Sequence, residues 1–193
     1  HAQAAYDATP NSDNALLLIA ALEMSGKKAQ AFTFLEKHVQ MHSNDIPSAM
    51  LLAERQIGKD RAAAIKTYEQ VLAKTPDNFV VLNNLAFLAL EDKKLTRAEE
   101  LAKKAVSLQR ENADAADTLA QIYIAKGDKA AALKLYEEVA ARPIANDDVY
   151  LNYVSVLLEL DKKALASRKL ASREFKSEAA KQRAESLKQQ YGL

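Results

Sequence analysis

Short turns recur along this chain at a nearly constant interval, and this spacing limits the possible folds more than any other feature. They begin near Gly26, Gly58, Glu91, Gly127 and Asp161, so successive turns are 32 to 36 residues apart. The segments between them are rich in Ala, Leu, Lys and Glu, whereas Gly and Pro number only four each. Such segments favour helix, and each turn therefore separates the two helices of a pair. A fixed period of about 34 residues predicts a stack of helix pairs.

Three consecutive segments, 45–78, 79–112 and 113–146, align with one another without gaps. Each has Leu in its first helix, followed by a small residue in two of the segments. The second helix of each has small and apolar residues, in two segments with a Tyr. The matching residues are Leu51, Leu52, Ala64, Tyr68 and Val71, then Leu85, Ala86, Ala98, Ala102 and Ala105, then Leu119, Ala120, Ala132, Tyr136 and Val139.

This pattern resembles the tetratricopeptide repeat (TPR) family, and the resemblance extends over nearly the whole chain. It implies an all-α fold, namely a right-handed α-α superhelix (TPR solenoid) of about five helix pairs plus a C-terminal capping helix. The function that it implies is a non-catalytic scaffold for protein–protein interaction, which binds a peptide or helix of a partner in the concave groove.

The same spacing gives the expected boundaries of a single array. Ala5 and Pro10 have the spacing that closes a repeat, so we expect the chain to begin inside a longer protein. Near the C-terminus, Ala180, Ala184 and Leu187 recur at helical spacing among polar residues, as in a capping helix. The boundaries are 1–12 for the stub of a preceding repeat, 13–44, 45–78, 79–112, 113–147 and 148–176 for the repeats, and 177–193 for the capping helix.

The composition of the chain argues against several classes of function. Lys and Arg total 27 against 26 Asp and Glu, a balance unlike that of a strongly basic nucleic-acid binder. Cysteine is absent, which excludes disulfides, thiolate metal sites and a Cys nucleophile. Apolar runs fall short of the roughly 18 residues that a membrane span needs, so we expect no direct membrane insertion by this chain.

The helical period assigns the faces of each first helix. One stripe packs against the second helix of the same repeat, and residues about 100 to 160 degrees away are expected to line the concave surface. The alternative is that such residues contact the neighbouring first helix. In the first two repeats the expected groove positions are Leu17, Ala21, Met24, Ala49, Ala53 and Gln56. The predicted partner-binding residues are Asn83, Phe87, Leu90, Asp117, Gln121, Ile124, Asn152 and Val156.

Charge is divided unevenly between the two layers of helices. The five first helices together contain nine acidic residues and one basic residue, Arg55. Part of this bias has a structural cause, because acidic residues at helix starts interact favourably with free N–H groups. Asp117 and Glu159 remain as groove charges, and they disfavour anionic ligands. Some TPR domains clamp a carboxylate with Lys and Arg of their first helices, and this chain lacks those cations.

The sequence offers few candidates for catalysis. His38 and His42 lie four residues apart and could face one metal ion, but two ligands do not make a site, and dipole-stabilised histidines at a helix end are the alternative. Phosphate-binding glycine loops and nucleophile elbows are absent. We therefore expect no enzyme activity, no cofactor and no structural metal.

Two further binding modes compete with the concave groove. Lysine and arginine pairs on the second helices could bind nucleic acid or another polyanion, although acidic residues lie between them and indicate a solvated face. Truncation of the array could also expose an apolar edge around Leu16, Ile19 and Phe34 and allow self-association. The basic pairs are Lys93-Lys94, Lys103-Lys104, Lys162-Lys163 and Arg168-Lys169.

A narrower resemblance concerns the cellular setting. The runs 81–87 and 115–120 are similar to the C-terminal repeats of bacterial TPR lipoproteins linked to exosortase-type exopolysaccharide export. This similarity implies a periplasmic or outer-membrane-tethered scaffold in the assembly of polysaccharide secretion machinery. A cytoplasmic TPR adaptor is the alternative.

Overall fold

The computed structural model describes residues 1–193 and contains only α-helices, which confirms the all-α TPR fold class. Its twelve helices correspond to the predicted stub, five pairs and cap. They are α1 Ala2–Ala8, α2 Ser12–Met24, α3 Lys28–Met41, α4 Ile46–Ile57, α5 Arg61–Lys74, α6 Phe79–Glu91, α7 Leu95–Leu108, α8 Ala113–Ala125, α9 Lys129–Val139, α10 Asp147–Glu159, α11 Lys163–Ala171 and α12 Glu178–Tyr191.

Polar side chains fix where many of these helices begin. At α8, the Asn112 side chain accepts hydrogen bonds from the backbone N–H groups of Asp114 and Ala115, and at α10 the Asn146 side chain accepts from the N–H of Asp148. Asp114 and Asp148 therefore lie in the first turns, and the caps are the asparagines that precede them. The other residues whose side chains cap a helix start include Asn11, Asp45, Asp60, Asp128 and Ser177.

Four of the turns inside helix pairs use a residue with left-handed backbone. Gly26 and Gly127 have φ of +76° and +86°, a region that glycine enters without steric cost. Lys93 and Asp161 adopt φ of 58° and 57° in the corresponding turns. An L-residue with a Cβ is strained there, and the surrounding helices hold it in place.

The chain forms two compact units, His1–Val81 and Leu82–Leu193. In the first unit, Tyr6 of α1 is buried against Ala15 and Leu18 of α2, and its ring meets that of Phe34 edge-on at 4.8 Å. Ile19 is buried in an adjoining cluster. Ile19 is therefore not part of an exposed edge, because it packs against α3 and α4, whereas Leu16 and Phe34 are half-buried. Self-association through this edge stays a prediction.

The core of the second unit surrounds α10. This helix packs against α8, α9, α11 and α12, so its apolar residues are buried on several sides at once. A clasp holds the segment that precedes α12: the Arg173 guanidinium donates to Asp147 Oδ1 and to the carbonyl of Ile144, and stacks over Tyr150. The backbone N–H of Lys176 donates to the other oxygen of Asp147.

Several expected groove positions are buried. Ala49, Ala53 and Gln56 lie inside the first unit, where Gln56 accepts a hydrogen bond from Thr67 at 2.8 Å. The prediction that these three line a groove is wrong, because α5 packs on that side of α4. Leu17 and Met24 of α2 are exposed, as expected for their positions.

Replacing Lys93 by Gly should stabilise the protein by about 0.5 to 1 kcal/mol, because relief of left-handed strain exceeds the added flexibility of the unfolded chain. The Lys93 side chain is exposed, so little contact is lost. Urea unfolding measures the change. The matched control is Gly127→Lys, which should destabilise by a similar amount, since a Cβ there meets no neighbour within 4 Å and only the backbone resists.

Candidate functional site

The first candidate residues lie on α6. Phe87 is 47% exposed, while Asn83 and Leu90 are half-buried on the same stripe. Spacings of four and three residues place these side chains on one face of the helix. The buried oxygen of Asn83, Oδ1, has no hydrogen-bond partner.

The equivalent residues one repeat later lie on α8. Asp117, Gln121 and Ile124 are all half-buried. The Tyr136 hydroxyl of α9 donates to Asp117 Oδ1 at 2.5 Å, and Gln121 Nε2 donates to that hydroxyl oxygen at 3.2 Å. The two helices of this repeat are therefore joined by polar contacts as well as by apolar packing.

Hydrogen bonds connect Asp117 of α8 to α10, and α10 in turn to α12. Asn152 of α10 donates from Nδ2 to Asp117 Oδ1 at 2.9 Å, and Arg183 of α12 donates to Asn152 Oδ1 at 2.6 Å. We call Asp117, Asn152 and Arg183 the polar ladder. Its residues come from three different helices and are satisfied by one another.

Sequence reasoning missed Arg183, although a signal for it exists. Asn152 lies six residues after the cap Asn146, and Arg183 lies six residues after the cap Ser177. Aligning α12 with a first helix would have placed Arg183 at a groove position. The helical spacing of Ala180, Ala184 and Leu187 among polar residues indicates only a polar cover.

Some of the predicted partner-binding residues are accessible in the structure, and others are buried. Val156 is 1% exposed within the core around α10, so its assignment to an accessible groove is wrong. Asn152 is used inside the polar ladder. The other predicted residues define what we call the candidate face: Asn83, Phe87, Leu90, Asp117, Gln121 and Ile124. Of these, Asp117 also belongs to the polar ladder through Oδ1.

Burial dominates the electrostatics of the candidate face. It raises the pKa of Asp117 above its usual range, and the hydrogen bonds from Tyr136 and Asn152 oppose this only in part. Burial, together with the neighbouring Asp117 carboxylate, also raises the pKa of the Tyr136 hydroxyl. Tyr136 therefore remains a neutral donor, and the negative charge of the network resides on Asp117.

Basic residues around α7 are paired with acidic neighbours. Lys103 and Lys126 both contact the Glu99 carboxylate, and Lys94 contacts Asp92. These pairs divide the positive charge of α7 into local contacts, as expected for a solvated face. The sequence of α11 contains no acidic residue, so its basic residues keep polyanion binding as an alternative.

His38 belongs to a hydrogen-bonded cluster in the first unit. Its ring is fully buried, with Nδ1 2.7 Å from the Tyr6 hydroxyl and Nε2 2.7 Å from Asp45 Oδ2. Asp45 also accepts from the side chains of Ser12 and Ser48. A metal ion shared with His42 would have to displace one of the two His38 partners, so this geometry does not favour the two-histidine metal site.

Family comparison agrees with the helix pairs. Models of the tetratricopeptide repeat match residues 58–122 and 112–142. The chain is a tetratricopeptide-repeat protein. Proteins of this family are generally non-catalytic scaffolds that bind other proteins, and the TPR fold supports that general function here. No curated protein sequence matches the chain.

Solved TPR structures share the fold at low sequence identity. PilF of Pseudomonas aeruginosa is 17% identical, with a TM-score of 0.74 over 99% of this chain and 82% of that one. TTC0263, a thermophilic TPR protein of Thermus thermophilus, is 19% identical, with a TM-score of 0.70 over 91% and 98%. MamA from Desulfovibrio magneticus RS-1 is 13% identical, with a TM-score of 0.69 over 83% and 91%. These likenesses show the fold alone.

None of the twelve helices of this TPR protein is both long enough and apolar enough to cross a bilayer.

Replacing Asp117 by Asn should preserve the fold and raise stability at neutral pH. The amide oxygen can still accept from Tyr136 and Asn152, and a charge that is costly to bury is removed. Because the pKa of Asp117 is raised in the folded protein, its ionisation costs stability as pH rises from the unfolded pKa of about 4 to the folded value. The advantage of Asn should therefore shrink as pH falls and Asp117 is protonated.

Urea unfolding over a pH series measures this difference. The control is Tyr136→Phe, which removes the donor and should cost about 1 kcal/mol. An Asp117→Asn variant less stable than the wild type at neutral pH would contradict the interpretation.

Replacing Asp45 by Asn should destabilise the first unit by about 1 to 3 kcal/mol at neutral pH, since several donors lose an ionised acceptor. Burial alone would raise the pKa of Asp45, but hydrogen bonds from His38, Ser48 and Ser12 lower it overall. The stabilisation that these hydrogen bonds provide is present above the pKa of Asp45 in the unfolded chain, which is about 4. It is lost as pH falls through the lower pKa of Asp45 in the folded protein.

Thermal melting over an acid pH series should show the wild type and Asp45→Asn converging below about pH 4. Asp13→Asn, which changes an exposed first-turn carboxylate of α2, serves as the matched control. A difference for Asp45→Asn that stays constant down to strong acid would refute the role of its ionised form.

Proposed function

We propose that this TPR protein is a non-catalytic scaffold that binds an extended or helical segment of a partner protein on the candidate face. One observation carries the proposal: α6 leaves two large apolar side chains, Val80 and Phe87, about half exposed. Exposing a large aromatic side chain is unfavourable, and aromatic residues are frequent anchors of protein interfaces. The neighbouring amide groups supply polar contacts beside it.

The candidate face combines desolvation with directional bonding. Phe87, Leu90 and Ile124 offer apolar surface to a partner side chain. Gln121 and Asn83 offer amide groups that can pair with a partner's backbone or side chains. This mixture of an apolar centre with flanking polar groups is typical of peptide-binding surfaces.

Asn152 and Val156 have a different role from the one that the sequence indicated. Val156 packs in the core, and Asn152 bonds to Asp117 and Arg183. Both residues position α8, α10 and α12 relative to one another. We therefore assign them to support of the binding surface and do not include them among partner contacts.

The proposal extends to the cellular setting. The similarity of the runs 81–87 and 115–120 to bacterial TPR lipoproteins supports a scaffold of exopolysaccharide secretion machinery, in the periplasm or tethered to the outer membrane. Cell fractionation of the protein tests this. Recovery in the cytoplasmic fraction would overturn the envelope setting and favour a cytoplasmic adaptor, while leaving the binding face unaffected.

Replacing Phe87 by Ala should weaken partner binding by about 1 to 3 kcal/mol, because an anchor aromatic is removed. Peptides selected from a random display library on the wild-type chain serve as probes, and calorimetry measures their affinity. The matched control is Leu108→Ala, which truncates another exposed apolar side chain of the second unit, at the end of α7. Equal effects of the two variants, with helicity preserved, would move the binding site away from Phe87.

A further inference from the structure

The polar ladder matches donors to acceptors at each step. Arg183 can only donate, and it donates to Asn152 Oδ1. Asn152 in turn donates from its Nδ2 to Asp117 Oδ1. The Asp117 carboxylate can only accept, so the sequence of bonds from donor to acceptor ends there.

One oxygen of Asp117 stays outside these bonds. Tyr136 and Asn152 both donate to Oδ1, and neither bond involves Oδ2. Arg183 directs its guanidinium to Asn152 and towards Asp148 at 3.7 Å, and it is not paired with Asp117. The half-buried carboxylate is therefore stabilised by neutral donors, without a cation of its own.

Asn83 occupies the position of Asp117 in the preceding repeat, and its side-chain oxygen is also a hydrogen-bond acceptor. Asn83 lies five residues after Asn78, whose side chain caps the start of α6, just as Asp117 lies five residues after the cap Asn112. Asn83 Oδ1 is buried and has no hydrogen-bond partner. Because Asn83 Oδ1 is buried, a partner cannot reach it, so the half-buried Asp117 carboxylate is the acceptor of the two that a partner can contact.

The first helices of the second unit supply no cation that could fill this role. The sequences of α6, α8 and α10 contain no Lys, Arg or His, whereas each of them contains acidic residues. A cation that pairs with the Asp117 carboxylate must therefore come from elsewhere. A half-buried charge without a counter-charge is costly, and a cationic group of a binding partner offsets part of that cost.

We propose that the partner segment carries a basic side chain, preferably arginine, next to an apolar residue. The guanidinium donates to Asp117 Oδ2, and the apolar residue packs on Phe87. Arginine fits better than lysine, because its planar group presents several donors in fixed directions to a carboxylate. This inference rests on the function proposed above and adds the chemistry of the partner.

Display selection tests this chemistry even while the natural partner is unidentified. A library of random short peptides is selected in parallel on the wild-type chain and on Asp117→Asn, whose fold should be preserved. We expect wild-type selection to enrich Arg, and to a lesser degree Lys, beside an apolar residue, and the variant to lose the basic preference. Enriched peptides without a basic residue, or with an acidic one, would overturn the inference.

A selected peptide then measures how much its basic residue contributes to the binding affinity. Changing its basic residue to Gln should weaken binding to the wild-type chain about tenfold, and should have little effect on binding to Asp117→Asn, as expected for a coupled charge pair. The control variant Glu138→Gln removes one exposed negative charge of α9 and should retain the full tenfold preference. Equal loss of preference in both variants would indicate general electrostatic attraction and refute a specific contact.

Failure of this inference is distinguishable from failure of the proposed function. If peptides without a basic residue bind the wild type and lose affinity in Phe87→Ala, the candidate face is the binding site but its partner is not basic. If neither Phe87→Ala nor Asp117→Asn changes the selected peptides or their affinity, the candidate face itself is wrong.

Discussion

Close packing between the two helices of each pair is the constraint on which the rest of this structure depends. Ala64, Ala98, Ala132 and Ala166 lie 34 residues apart and are all fully buried. A side chain of one methyl group lets the second helix approach its neighbours closely, and the surrounding larger side chains then interlock. Since the same small residue recurs at the same position, each pair repeats the same approach.

This packing decides which surfaces remain for function. When the second helix covers one side of a first helix, only a narrow stripe of the first helix stays accessible. On α6 that stripe exposes Phe87, whereas on α10 the corresponding Val156 is covered. The difference follows from position, because α10 lies between α8 and α12 and is surrounded by its neighbours. Equivalent positions in a repeat are therefore not equivalent in exposure.

Polar contacts determine details that apolar packing leaves open. Asp45 takes hydrogen bonds from both sides of the loop between α3 and α4, and Asp147 receives Arg173 and Lys176 near the start of α10. Directional bonds at these places fix loops that have few apolar residues to bury. The polar ladder does the same between helices, since Asp117, Asn152 and Arg183 satisfy one another across three elements.

The sequence by itself determined the helix pairs, their period and the residues that pack within each pair. Those features depend on local propensity and on a spacing that recurs, as at Ala98 and Ala132, and both can be read from one chain. It also indicated the exposed position of Phe87. Only the tertiary structure decided that Val156 is core, that His38 pairs with Tyr6 and Asp45, and that Arg183 completes the ladder. These outcomes depend on contacts between residues 7 to 35 positions apart, whose distances follow from how helices stack and not from the order of residues along any one of them.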